Sequence, residues 1–165
     1  MNTIQKSIEN FKLPDYEAIP DVGLYLEQTV RFISEYLEKL PNVSITNSMV
    51  GNYVKKGLID NPIKKLYKRD QIGYLIFIAI AKTVLSLEDI QILINMQKQA
   101  YENKTAYEYF VCEFTNMLHF VFGLKDKVDA LGTENTNEKT MLRNTIIAIS
   151  HKIYLDKCFE QMKNK

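Results

Sequence analysis

Two cysteines in 165 residues, Cys112 and Cys158, are too few for a disulfide framework, and that scarcity reads as an intracellular chain. Tryptophan is missing, and six glycines with four prolines supply too few turns for an all-β sandwich or barrel. Long hydrophobic runs are missing as well. The longest, residues 74–81, falls far short of the roughly 20 residues that cross a bilayer, so it predicts a buried helix. Residues 1–10 mix charges and amides with apolar groups and hold no signal-peptide core, which predicts a cytoplasmic protein. Also absent are a Gly-rich phosphate loop, a nucleophile elbow and a metalloprotease helix motif. The acidic pair Glu88-Asp89 sits where helix capping explains it. Cys112 and His119 stand seven residues apart, too far along a helix for a nucleophile and its base. No enzyme and no cofactor are expected.

What is present is enough apolar material for a core: 46% hydrophobic against 25% charged residues, the balance of an ordinary globular chain. Residues 1–20 show no sustained period and read as a leading arm. From 22 to 40 the apolar positions Leu24, Leu26, Val30, Ile33, Leu37 and Leu40 recur at helical spacing, with Asp21 as N-cap and Pro41 as terminator. Thr46 or Ser48 opens a shorter helix to Lys56, and Gly57 suits its C-terminal cap. Residues 58–67, with Asn61-Pro62 and a lysine pair, read as a loop or short β-hairpin. A third helix spans about 68–84, and Ser86-Leu87-Glu88-Asp89 opens a fourth. Further on, Thr105-Ala106-Tyr107-Glu108 resembles a capping box ahead of the apolar face Tyr107, Phe110, Val111, Phe114, Leu118 and Val121. Gly123 and Gly132 bracket a connection, residues 132–137 carry little structural signal, and Asn135 with Glu138 caps a last helix to about Met162.

The charge is unevenly placed. Between residues 43 and 82 seven basic side chains face two acidic ones, an excess of five, so a net charge of +1 leaves the rest of the chain at −4. Such asymmetry is the footprint of a phosphate-contacting surface, since each neutralised phosphate releases condensed counterions. In the 46–56 helix Met49, Val50 and Tyr53 are placed to face inward, and Asn47, Ser48, Asn52 and Lys55 outward. Asparagine can pair bidentately with adenine, and serine and lysine reach bases or phosphates.

These residues resemble a family. Asn52-Tyr53-Val54-Lys55-Lys56-Gly57-Leu58-Ile59 is similar to the recognition-helix signature of MerR regulators, with a tyrosine four residues before a Gly-Leu pair. Leu66-Tyr67-Lys68-Arg69-Asp70-Gln71-Ile72 resembles the end of the MerR wing, and Leu85-Ser86-Leu87-Glu88-Asp89-Ile90 the start of the helix that follows. Leu13-Pro14-Asp15-Tyr16 with Val50 to Ile59 and Pro62-Ile63-Lys64-Lys65 also resembles a Gram-positive bacterial family described as MerR-like, over about residues 10–140. Gly51 and Asn52 stand where MerR proteins often carry arginine and tyrosine, and Lys68 where they carry a serine cap.

The resemblance implies an all-α chain with a small β wing: a winged helix-turn-helix domain at 13–95, then a C-terminal helical hairpin at 96–165 that dimerises or senses a signal. It implies a transcription regulator that reads double-stranded DNA as a homodimer, through the helix at 46–56 and a basic wing at 60–67. The DNA-binding residues expected are Thr46, Asn47, Ser48, Asn52, Lys55, Lys56, Lys64, Lys65, Lys68 and Arg69. Two other readings stay open: a winged-helix interaction module that does not read DNA, and a sensor whose aromatic C-terminal helices hold a small-molecule effector.

Cys112 and His119 share one helical face, and so do His151 and Cys158. In an antiparallel hairpin Cys112 falls level with Cys158, and His119 with His151. Seven residues of helix span about 10 Å, whereas zinc ligands lie roughly 2.0–2.3 Å from their ion. No metal site is expected. The aromatic cluster of Tyr101, Tyr107, Tyr109, Phe110, Phe114, Phe120 and Phe122 suits a core, a ligand pocket or a dimer interface.

Overall fold

A computed structural model describes residues 1–128 and 135–165, so the expectations for Gly132 and its neighbours up to residue 134 lie outside the described residues. The described residues form seven α-helices: α1 (Thr3–Lys6), α2 (Leu26–Leu37), α3 (Asn47–Lys55), α4 (Arg69–Ala81), α5 (Leu87–Ala100), α6 (Asn103–Val121) and α7 (Asn137–Lys163). A 3-10 turn at Tyr16–Ala18 follows α1.

The centre is α4. Ile72, Gly73, Leu75, Ile76 and the run from Ile78 to Ala81 are all buried, because α2, α5, α6 and α7 surround the helix. A helix apolar on every side is stable only when enclosed in this way, and each fully buried Ile or Leu contributes about 1.5–3 kcal/mol. Helices α6 and α7 pair with each other, and both lie on α4 and α5. One apolar cluster therefore runs from Ile8 to Ile153.

Local chemistry sets the ends of several helices. The hydroxyls of Thr46, Ser86 and Thr136 each accept the amide of the residue three further on, at 3.2, 3.1 and 3.2 Å. At the end of α3 Gly57 takes φ +77°, and Gly57 N–H donates to Val54 O at 3.0 Å and Leu58 N–H to Tyr53 O at 2.9 Å. This is a Schellman closure, completed by the burial of both Tyr53 and Leu58. The Thr105 capping box does not form. Glu102 is the N-cap of α6, and Thr105 lies within the first turn.

The expected winged helix-turn-helix with a β wing is overturned. No strand occurs among the described residues, and residues 60–67 hold two isolated bridges. Ile63 pairs with Leu66 around a two-residue turn in which Lys64 and Lys65 take φ +53° and +67°. Both central residues of a type I′ turn need positive φ. Past that turn Tyr67 pairs with Leu24, 2.9 and 2.8 Å in the two directions, so its backbone groups are spent on a segment far upstream. Pro62, which has no N–H, and the Gln71 amide, which donates to Asp60 O and Asn61 O at 2.9 and 3.2 Å, leave no second arm to build. Gly23 permits the pairing: its φ is +98°, and a Cβ there would sit 3.1 Å from Leu66 Cβ.

The leading arm is part of the core. Ile8, Phe11, Leu13 and Ile19 are buried. Phe11 meets Phe114 edge-on at 6.0 Å, and the Tyr107 hydroxyl donates to the buried Pro14 carbonyl at 2.6 Å. The helix expected from 22 to 40 is shorter at both ends. Leu24 belongs to the bridge with Tyr67, and nine residues separate α2 from α3.

Candidate functional site

On α3 the polar and apolar residues separate cleanly. Val50 and Tyr53 are buried and Met49 half-buried, whereas Asn47, Ser48, Gly51, Asn52 and Lys55 are exposed. Spacings of four put Asn47, Gly51 and Lys55 on one line and Ser48 with Asn52 beside it. At the middle of this face a Cβ on Gly51 would meet nothing within 4 Å. The outer surface of α3 is therefore a bare strip of backbone flanked by amides, a hydroxyl and a lysine. Thr46 is exposed too, but its hydroxyl is occupied as the cap.

The basic residues divide into two sets. Lys55 and Lys56 at the end of α3 and Lys64 and Lys65 in the following turn are exposed. Lys68, Arg69 and Lys82 have structural partners. Lys68 Nζ donates to Val22 O at 3.0 Å. Arg69 Nε donates to Ile19 O at 2.8 Å, and the guanidinium lies 5.1 Å above the Tyr16 ring and 3.5 Å from Glu17. Lys82 lies behind α3, with Nζ 3.0 Å from Met49 Sδ and 6.0 Å from the Tyr53 ring centre, and burial lowers its pKa. Arg69 thus holds the leading arm, whose dependence on it no periodic pattern announced.

The Cys and His residues sit in different surroundings. Cys112 and His151 are exposed and Cys158 half-buried. No group of three or more His, Cys, Asp or Glu side chains suited to a metal occurs among the described residues. His119 has a buried Nε2 with no hydrogen-bond partner among the described residues, and burial, then the charge of Lys125, lowers its pKa.

A second feature lies inside the molecule. A cavity of about 170 Å³ opens between α4, α5, α6 and the start of α7. Its apolar wall includes Phe77, Ile94, Ala106, Phe110 and Leu142. Of the aromatic cluster, Tyr101, Tyr107, Tyr109 and Phe110 line it, Phe114 and Phe122 belong to the core, and Phe120 is 40% exposed. One end is polar. Asp70 accepts the Tyr16 hydroxyl at 2.8 Å and the Asn103 amide at 3.1 Å, while the Tyr74 hydroxyl reaches Gln97 Oε1 at 2.5 Å and Asn103 Oδ1 at 2.6 Å. Burial and then Asp70 push both phenols up to about 12, so both are neutral donors at physiological pH. Asp70, Gln97 and Asn103 carry no periodic signal in sequence; three helices bring them together.

No helix is long and apolar enough to cross a membrane among the described residues. Residues 14–110 match a family described as a domain of unknown function, DUF1836. The match covers the end of the arm from residue 14, α2 to α5 and the first part of α6, and so includes the α3 face, the lysine turn and the polar end of the cavity. No curated protein and no solved structure matches the chain.

Proposed function

This chain belongs to the DUF1836 family, a domain of unknown function, and we propose from its residues that it binds double-stranded DNA through α3 and the Lys64-Lys65 turn to regulate transcription. The observation that carries the reading is the outer face of α3. A glycine in a helix interior costs about 0.5–1 kcal/mol relative to alanine, and packing does not require this one, since the space around Gly51 is open. A helix stripped to its backbone there can approach a surface closely, and a major groove admits a helix. Asn47, Ser48 and Asn52 then supply groups suited to base edges. Lys55, Lys56, Lys64 and Lys65 supply exposed positive charge for phosphates. The likeness of residues 52–59 and 85–90 to MerR regulators points the same way.

A homodimer is part of the proposal, because a palindromic operator matches a two-fold protein. Leu155, Phe159 and Met162, spaced four and three residues apart on α7, are 48%, 51% and 66% exposed. Such an apolar stripe on the last two turns of a long helix suits the same stripe on a second copy.

Selection from a random-sequence duplex library tests the reading. An enriched two-fold symmetric site is expected, with Asn47→Ala and Asn52→Ala lowering discrimination between sequences more than overall affinity. Absence of any duplex retention at low salt would refute the proposal and leave α3 as a docking face for protein.

A further inference from the structure

We propose that the interior cavity is a binding site for a small neutral aromatic molecule of one or two fused rings that carries a single N–H or O–H donor. Size sets the first limit. A dry apolar cavity of about 150 Å³ accepts benzene, and the partly open space between α4, α5, α6 and α7 is about 170 Å³. Shape sets the second. Gly73 leaves the α4 backbone bare against the edge of the Tyr107 ring, where a Cβ would lie 3.3 Å from Cδ2. Phe77 and Phe110 meet edge to face at 5.1 Å, so the walls are aromatic faces and edges suited to a flat guest.

The polar end selects the functional group. The Tyr74 hydroxyl has one proton and two carbonyl oxygens within reach, Gln97 Oε1 and Asn103 Oδ1. Neither amide can turn over to relieve this. The Gln97 amide nitrogen donates to the Tyr101 carbonyl at 2.8 Å and to Asn103 Oδ1 at 3.2 Å, and the Asn103 amide nitrogen to Asp70 at 3.1 Å. The Tyr74 proton is thus left to Gln97 Oε1, and the Tyr74 oxygen itself keeps acceptor capacity. Asp70 adds a carboxylate with acceptor capacity left over. The end wall is therefore rich in acceptors and short of donors, so it takes a ligand N–H or O–H and repels a carboxylate. Lys98, whose Nζ lies 5.3 Å from the Tyr74 ring centre, sets a positive charge beside this end and favours a neutral guest over a cationic one, whereas Lys104 is spent on Glu17 at 2.8 Å.

Calorimetric titration of the full chain with indole and with indene, its near-isostere lacking the N–H, tests it. Indole is expected to bind at least tenfold more tightly than indene, and indole-3-carboxylate not at all. Gln97→Leu is expected to erase the preference for indole while indene still binds. Ala106→Phe, which fills the cavity, is expected to abolish both; should it fail to fold, Leu142→Phe serves the same purpose. Equal binding of indole and indene to the unaltered protein would overturn the donor match. Binding of neither at millimolar concentration would overturn the site itself.

Discussion

Replacing Gly51 separates stability from function in one residue. Gly51 is the fifth of nine residues in α3, its φ lies outside the positive range, and an added Cβ meets nothing within 4 Å. Gly51→Ala therefore creates neither strain nor a clash. It gains helix propensity and restricts the unfolded chain, worth about 1 kcal/mol. For a chain of this length that raises the Tm by about 2–4 °C. Gly51→Phe fills open space outside the fold, so thermal unfolding should show a Tm within a few degrees of the parent. If the strip is where DNA seats, a phenyl ring standing on it abolishes duplex binding in an electrophoretic or anisotropy assay. Gly51→Ala, adding one methyl, keeps most of it. A stability loss above about 1 kcal/mol in either variant would refute the packing argument. Full DNA binding by Gly51→Phe would refute the role given to the strip.

Gly57→Ala and Gly23→Ala test the left-handed positions as a pair. At Gly57 the nearest atom to a new Cβ is 3.8 Å away, so only backbone strain of about 1–2 kcal/mol is expected. At Gly23 the contact with Leu66 Cβ at 3.1 Å adds to the strain, and the larger loss in urea unfolding should be there. Tyr107→Phe leaves the Pro14 carbonyl buried without its donor, which costs about 1–3 kcal/mol. Burial raises the Tyr107 phenol, and Tyr16 and Tyr74 go to about 12, so these groups stay protonated where an unfolded tyrosine ionises. Their contribution is complete below about pH 10 and is lost as pH rises toward 12, and Tyr107→Phe should flatten that alkaline decline. Phe159→Glu puts a charge into the α7 stripe; light scattering should report a monomer with an unchanged Tm, and an unchanged mass would exclude this stripe as the dimer contact.

Much of the helical framework could be read from local signals. Ser86 announces α5, Gly57 ends α3, and the apolar spacing from Tyr107 to Leu118 marks the buried side of α6. The signals that failed were those completed by distant partners. Ile8, Phe11, Leu13 and Ile19 follow no period because α6 and Arg69 shape the arm that carries them. The lysine-rich stretch at 60–67 suggests a wing, but its last residue, Tyr67, takes Leu24 as partner, and no local signal in the stretch points to that distant pairing. At the candidate site, helical period separated exposed from buried residues on α3. It gave no hint that Lys68 and Arg69 serve the fold, nor that Asp70, Gln97 and Asn103 meet at one end of a cavity. The first depends on the non-helical segment that ends at Val22, the second on how three helices cross.

The most direct test of the central claim is the affinity for a random-sequence duplex across a salt series, for the parent chain and for Lys64→Glu with Lys65→Glu. Each phosphate contact contributes about −0.9 to the slope of log K against log salt. A steep slope is expected for the parent and one shallower by about two for the variant, with affinity lost at every salt concentration. Identical slopes and affinities would contradict that claim and leave those lysines as a solvated turn.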